Sequence, residues 1–213
     1  MEEKYVVLGA GGHSKIILDI LKLNQKEICG LTDAEFQEGD FCMGYPVLGT
    51  DAVLTVLYQQ GIENAAMGIG HIGNPQIRNR IYEEVGRIGY RFPNIIHPQA
   101  VCSETIQMGR GNLLAAQCVV NPEVVLGDLC IVNTAAVVEH EVVVGNGVHI
   151  APHATVLGAA QIGHNSFIGA GSVILQGVKV GDNCIIGAGS IVRKDVENNS
   201  VIVGNPGRLI KRR

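Results

Sequence analysis

Val144-Gly145-Asn146-Gly147-Val148-His149, Ile162-Gly163-His164-Asn165-Ser166-Phe167, Ile168-Gly169-Ala170-Gly171-Ser172-Val173 and Val180-Gly181-Asp182-Asn183-Cys184-Ile185 read as one hexad written repeatedly. Stepping by six in both directions gives an apolar residue at each of seventeen stops, from Ile96 to Val192, without an insertion. The fifth place of each hexad is again small or aliphatic, as at Cys118, Ala136, Ala154, Ser172 and Ser190. Neither the helical period nor simple strand alternation keeps such a register over half a chain. A parallel β-helix does, because three hexads close one triangular coil whose first and fifth residues fill the prism, and stacked coils bury what one hexad cannot. Five to six coils are predicted.

About ninety residues precede the repeat, enough for a second, smaller domain. The junction falls at Phe92-Pro93-Asn94, which divides the chain into residues 1–93 and 94–213. A net charge of −4 argues against nucleic-acid binding, although Arg208, Lys211, Arg212 and Arg213 make the end locally basic. Tryptophan is absent and aromatics are only 4%, so stacked Val and Ile must supply the core. The six cysteines show no C-x-x-C spacing, and Cys118, Cys130 and Cys184 read as small core residues in a reduced, cytoplasmic setting. No apolar run is long enough to span a bilayer, and no signal peptide is expected.

Ahead of the repeat, Tyr5 to Leu8 reads as a strand, followed by Gly9-Ala10-Gly11-Gly12-His13-Ser14 and a helix with Ile16, Ile17, Ile20, Leu21 and Leu23 on its apolar face. Strand, glycine loop and helix form a Rossmann-like unit whose free amides and dipole favour a phosphate; Ser14 replaces the third glycine of the dinucleotide fingerprint. A second strand, Ile28 to Thr32, ends at Asp33, and Thr50-Asp51 caps a helix to about Gln60. A third strand, Ala65 to Ile69, leads to Gly70-His71-Ile72-Gly73-Asn74-Pro75 and a helix to about Gly86. Two glycine loops at the carboxyl ends of parallel strands mark the crevice where such sheets bind nucleotides.

Within the repeat, His140 holds the third place of its hexad, a turn site that projects outward, and one coil on the same corner is Gly158. A histidine beside a bare N–H suits general-base catalysis with an oxyanion donor. Backbone neighbours in extended chain point apart, so pairing with Glu141 needs the turn to bring the two together; Glu139 is the alternative. His149, in a sixth place, reads equally as surface or ligand contact, and His153 and His164 read as surface. Gly169-Ala170-Gly171-Ser172 and Gly187-Ala188-Gly189-Ser190 lie one coil apart and predict a smooth groove.

The repeat resembles the hexapeptide-repeat acyltransferases, whose coils wind left-handed. With Gly-Ala-Gly-Gly-His at residues 9–13, Asp33, Gly44 to Gly49, Gly68 to Arg78, and Asn133 to Glu141, the whole chain resembles the NeuD/PglD family of sugar acetyltransferases. The resemblance implies a nucleotide-sugar site in front, with contacts at Gly11, Gly12, His13, Thr32, Asp33 and Gly70. It implies acetyl-CoA as co-substrate, met by His149, Ala170, Ala188 and Arg208, and His140, Glu141 and Gly158 as the catalytic set, without metal. It also implies a homotrimer with coenzyme A between adjacent prisms, and no nucleic-acid or membrane partner.

The reading is an acetyl-CoA-dependent N-acetyltransferase acting on the 4-amino group of a UDP-2-acetamido-4-amino-2,4,6-trideoxyhexose. O-acetylation of sialic acid or another sugar hydroxyl needs the same residues. A β-helical carbonic anhydrase needs an H-x-x-x-x-H spacing that His149 and His153 miss by one. A non-catalytic nucleotide-sugar-binding scaffold is the remaining alternative.

Overall fold

The computed structural model describes residues 3–213. It divides into two compact units, one running to His71 and resuming over Gln76–Pro98, the other comprising Ile72–Pro75 and Gln99–Arg213.

The first unit contains β1 (Lys4–Leu8), α1 (Gly12–Leu23), β2 (Glu27–Thr32), the short pair β3 (Phe41–Cys42) and β4 (Tyr45–Pro46), α2 (Leu54–Gln59), β5 (Asn64–Met67) and α3 (Gln76–Ile88). β1 is central in the parallel order β2-β1-β5, which is why Val6, Val7 and Leu8 are wholly buried. The buried side of α1 is Ser14, Ile17, Leu18, Ile20 and Leu21. Leu23, expected on that side, is exposed, and Leu18 lies inside instead. A one-turn 3-10 segment at Asp51–Val53, capped by Thr50 Oγ1 accepting from the Ala52 amide, precedes α2. Gly9 takes φ +96°, and a Cβ there would come within 2.6 Å of Ile69 Cγ1, so the first loop requires glycine on both counts.

The expected hexads appear as seventeen two-residue strands, β6 (Ile95–Ile96) to β22 (Ile191–Val192). Those from β6 to β19 pair in parallel with the strand eighteen residues on, as Val119 with Val137 and His149 with Phe167. They form three faces, and the antiparallel strands β23 (Ser200–Val203) and β24 (Arg208–Arg212) extend one of them. The coil is a left-handed β-helix. First-place residues such as Val138, Ile150 and Ile168, and fifth-place residues such as Cys118, Ala136 and Ser172, are fully buried.

The corners show a device that the hexad alone does not announce. From residue 111 to residue 189 every sixth residue, the fourth of its hexad, has positive φ, including Gln117, Glu123, Leu129, Ala135, Glu141 and His153. From Leu129 onward its amide returns to the third-place carbonyl of the coil before, as Ala135 N to Ala116 O at 2.9 Å and Ala159 N to His140 O at 2.9 Å, while the Glu123 amide donates to Thr105 Oγ1 at 3.1 Å. That bond offsets the cost of a left-handed residue bearing a side chain.

Among the described residues no helix is long and apolar enough to cross a membrane. Burial pushes the Cys118 thiol up to about 12 and raises that of Cys184. Native iodoacetamide labelling at mildly alkaline pH should leave both cysteines unmodified, and labelling after unfolding should modify both, read by peptide mass spectrometry. Ile150→Ala, deep in the stack, should cost about 2–5 kcal/mol of stability, read as a lowered urea midpoint.

Candidate active site

Three corners run along the prism, and each carries its own chemistry in the third places of the hexads. One corner is the column Pro122, His140, Gly158, Gln176. His140 is exposed there, with its side chain 60% accessible, and its Nδ1 lies 3.0 Å from Glu141 Oε2. The contact exists because Glu141 has φ +59°: the left-handed residue turns its side chain back beside its neighbour. Glu139 is not the partner, since its Oε2 accepts from Asn121 Nδ2 at 3.0 Å. An ionised carboxylate only accepts, so His140 donates from Nδ1, and the neutral ring keeps the lone pair of Nε2 for a proton.

Gly158 seats the ring. A Cβ on it would lie 2.6 Å from His140 Cε1 and 2.7 Å from Nε2, so any larger residue would displace the imidazole. The imidazole itself occupies the space above this glycine. Among the described residues the Gly158 amide donates to no acceptor, while its carbonyl accepts from Gly177 N at 3.0 Å.

A second corner is the column Thr134, Pro152, Ala170, Ala188. Ala170 and Ala188 are exposed and stacked, flanked by Gly171 and Gly189, where an added Cβ would meet nothing within 4 Å. This open strip of small residues suits a thin chain lying against the backbone. His149 is not there but on a face, buried, with Nε2 3.1 Å from Asn133 Nδ2 and its ring edge-on to Phe167. Its reading as a surface side chain is therefore corrected, because the outer side of that face is covered. Arg208 is exposed on β24 and makes no ion pair among the described residues, whereas Arg212 pairs with Glu197 and Arg213 donates to the Gly73 carbonyl. Arg193 and Lys194, which the sequence reading passed over, border a cavity of about 300 Å³ with Pro206 and Gly207.

In the first unit, Gly11 and Gly12 open α1 and are exposed, and an added Cβ at either meets nothing within 4 Å. They border a cavity of about 350 Å³ together with Lys15, Phe36, Phe41, Cys42 and Met43. None of the last five was singled out from sequence, yet Phe41 is 69% and Met43 52% exposed, a cost that a bound ligand would relieve. Asp33 holds the loop: its Oδ2 accepts from Ala10 N at 2.7 Å and its Oδ1 from Glu35 N at 2.8 Å. Thr32 is fully buried and donates to Asp51 Oδ1 at 2.6 Å, so its hydroxyl faces the interior rather than a ligand. Gly70 backs the His13 ring, with an added Cβ 3.2 Å from His13 Cγ. Among the described residues no group of three His, Cys, Asp or Glu could hold a metal ion.

Two family models match, the PglD N-terminal domain over residues 4–85 and the bacterial transferase hexapeptide over residues 159–194. The acetyltransferase domain of PglB from Neisseria gonorrhoeae, solved with acetyl coenzyme A, is 32% identical, with TM-score 0.91 over 99% of this chain and 100% of that one. PerB from Caulobacter crescentus, solved with CoA and GDP-perosamine, is 30% identical, with TM-score 0.92 over 98% of this chain and 97% of that one. The chain belongs to the PglD/NeuD-type family of hexapeptide-repeat sugar acetyltransferases. It is thus an acyltransferase by family. WeeI from Acinetobacter baumannii, 20% identical with TM-score 0.68, shares the fold. An uncharacterized protein of Acanthamoeba polyphaga mimivirus is 30% identical over 103 residues, and the chain spans only 19% of that curated relative's length.

Gly158→Ala should displace the imidazole by about the ångström that costs roughly 10²-fold in turnover, with little change in the Michaelis constants, read in a steady-state assay of acetyl transfer.

Proposed function

We propose that this protein transfers the acetyl group of acetyl-CoA to the 4-amino group of a nucleotide-linked amino sugar, of the UDP-2-acetamido-4-amino-2,4,6-trideoxyhexose type. The carrying observation is the His140–Glu141 pair at 3.0 Å, seated over Gly158 on an exposed corner. The family supports the reaction class, and the co-crystallised CoA, acetyl-CoA and GDP-perosamine of PerB and PglB support the two substrates.

His140 Nε2 takes the proton that the sugar amine sheds as its nitrogen bonds to the acetyl carbon. Glu141 fixes the tautomer and steadies the imidazolium, and the unpaired Gly158 N–H receives the developing oxyanion. The carbon–sulfur bond breaks and the thiolate takes the proton back from the ring, leaving an amide and free coenzyme A. The Ala170 and Ala188 strip takes the pantetheine arm, and Arg208, with Arg193 and Lys194 near the same end, meets the coenzyme's phosphates. His149, one face away and buried against Phe167, shapes that side rather than contacting solvent. In the front unit, Gly11, Gly12 and Lys15 receive the diphosphate, Phe36 and Phe41 flank the base, and His13 and Gly70 lie toward the sugar; Asp33 holds the loop that does this. The exposed Val125 and Val143 on one prism face support a homotrimer in which a second copy completes the cleft.

A panel of UDP-, GDP-, dTDP- and CMP-linked amino and hydroxy sugars, assayed for coenzyme A release and product mass, tests this. Release with a 4-amino sugar nucleotide that falls about 10²–10⁴-fold in His140→Ala is expected. Acetylation of hydroxy sugars alone, or an unaffected His140→Ala, would overturn the reading.

A further inference from the structure

The corner opposite the catalytic one shows what a polar third-place side chain does by default. Coil-to-coil pairing satisfies the fourth-place amide but leaves the third-place amide over. At this corner the side chain one coil on takes it: Arg110 N donates to Asp128 Oδ1 at 2.8 Å, Asp128 N to Asn146 Oδ1 at 3.0 Å, and Asn146 N to His164 Nδ1 at 2.9 Å. The ladder continues from His164 N to Asp182 Oδ1 at 2.7 Å and from Asp182 N to Asn198 Oδ1 at 2.9 Å. Each acceptor reaches back across a glycine in the second place, Gly109, Gly127, Gly145, Gly163 or Gly181. A Cβ at any of these five would fall within 3.0 Å of the acceptor's side chain or backbone. His164 is therefore a ladder rung and not a loose surface residue. Its Nδ1 accepts, so the neutral ring carries its proton on Nε2.

His140 holds the same place in its hexad, yet it does the reverse. Its ring lies over the coil after it, against Gly158, and its Nδ1 donates to Glu141. The two residues that would have received it on the coil before are Asn121 and Pro122. Pro122 has no amide to be capped. Asn121 carries a side chain where the ladder corner has glycine, and its Nδ2 is held by Glu139.

From this contrast we infer that Asn121 and Pro122 are positioning residues that hold His140 out of the ladder arrangement. The inference deepens the functional reading above and rests on His140 being the base. Without the pair, the imidazole would cap the amide of residue 122, take the tautomer of His164, and present a protonated Nε2 where the base needs a lone pair. Neither residue touches substrate. Both act through the ring.

The Asn121→Gly/Pro122→Ala double variant rebuilds the ladder pattern beneath His140. In the full-length protein with selectively labelled histidine, the ring-nitrogen shifts of His140 should change from the Nδ1–H to the Nε2–H pattern already given by His164. Turnover should fall at least about 10²-fold, the Michaelis constants for acetyl-CoA and sugar nucleotide should stay within about twofold, and the new residue-122 amide should be protected from exchange. Asn121→Gly alone keeps the proline and should keep both the Nδ1–H pattern and most of the activity. Pro122→Ala alone, which adds the amide beneath the existing asparagine, should move both readouts in the same direction by less. A folded double variant with an unchanged tautomer, or an Asn121→Gly variant as impaired as the double, would overturn the inference. The tautomer is read without substrates. A wild-type protein that acetylates no amino sugar would therefore strike the functional reading and leave this comparison standing.

Discussion

Each corner of the prism must turn the chain in four residues and deliver the next strand into register with the strand eighteen residues earlier. A left-handed residue in the fourth place performs that turn, again and again from Gly111 to Gly189. Only some of these places hold glycine or asparagine. The others, such as Leu129 and Glu123, adopt a conformation that disfavours side chains by about 1–2 kcal/mol each. They persist because the same turn makes an amide bond to the coil before and inserts the fifth residue into the core. The coils thus support one another, as stacked repeats do.

The contact between His140 and Glu141 is a by-product of this turn. In extended backbone two neighbouring side chains diverge, and His140 and Glu141 would face different ways. With Glu141 at φ +59° they meet at 3.0 Å. No long-range element has to be recruited to orient the imidazole, so the pair is as rigid as the coil that carries it. The three corners then divide the work by the residues placed on them: one keeps an amide-capping ladder, one is stripped to alanine and glycine, and one keeps a histidine above a glycine.

The β-helix was legible in the sequence because its signal is redundant. Any few of the seventeen apolar stops could be lost without hiding the period. His140 and Gly158 were legible as a column for the same reason. The seating of the ring was not, since a glycine in sequence reads as empty space and here its bare Cα is covered by the imidazole. Nor was the burial of His149 readable from its own hexad, because its contacts are Phe167 one coil on and Asn133 of an earlier hexad. In the front unit the strands and the first glycine loop followed from pattern. The family resemblance implies ligand contacts at Thr32 and Asp33, but the side chain of one is bonded to Asp51 and that of the other to the amides of Ala10 and Glu35. Side-chain commitments of that kind depend on what lies across the fold, and local sequence does not carry them. Phe41 and Met43 escaped notice for the opposite reason: exposed apolar residues on a two-residue strand and its turn have no periodicity to betray them.

The two sites differ in what the chain can vary. The floor of the front cavity is backbone, the amides at Gly11 and Gly12 with Asp33 bracing the loop, and backbone amides favour any diphosphate alike. Its walls are side chains, Phe36, Phe41 and Met43, on a segment with little regular structure to constrain them. On the function proposed above, a backbone floor and side-chain walls assign base discrimination to the hairpin rather than to the strand ends. On the corner of the prism the reverse holds. The ring of His140 is fixed by its own coil, by the glycine one coil on and by the proline one coil before, so that part of the protein has little freedom to drift. On the function proposed above, the chemistry falls where the repeat is strictest, and selectivity where it is absent.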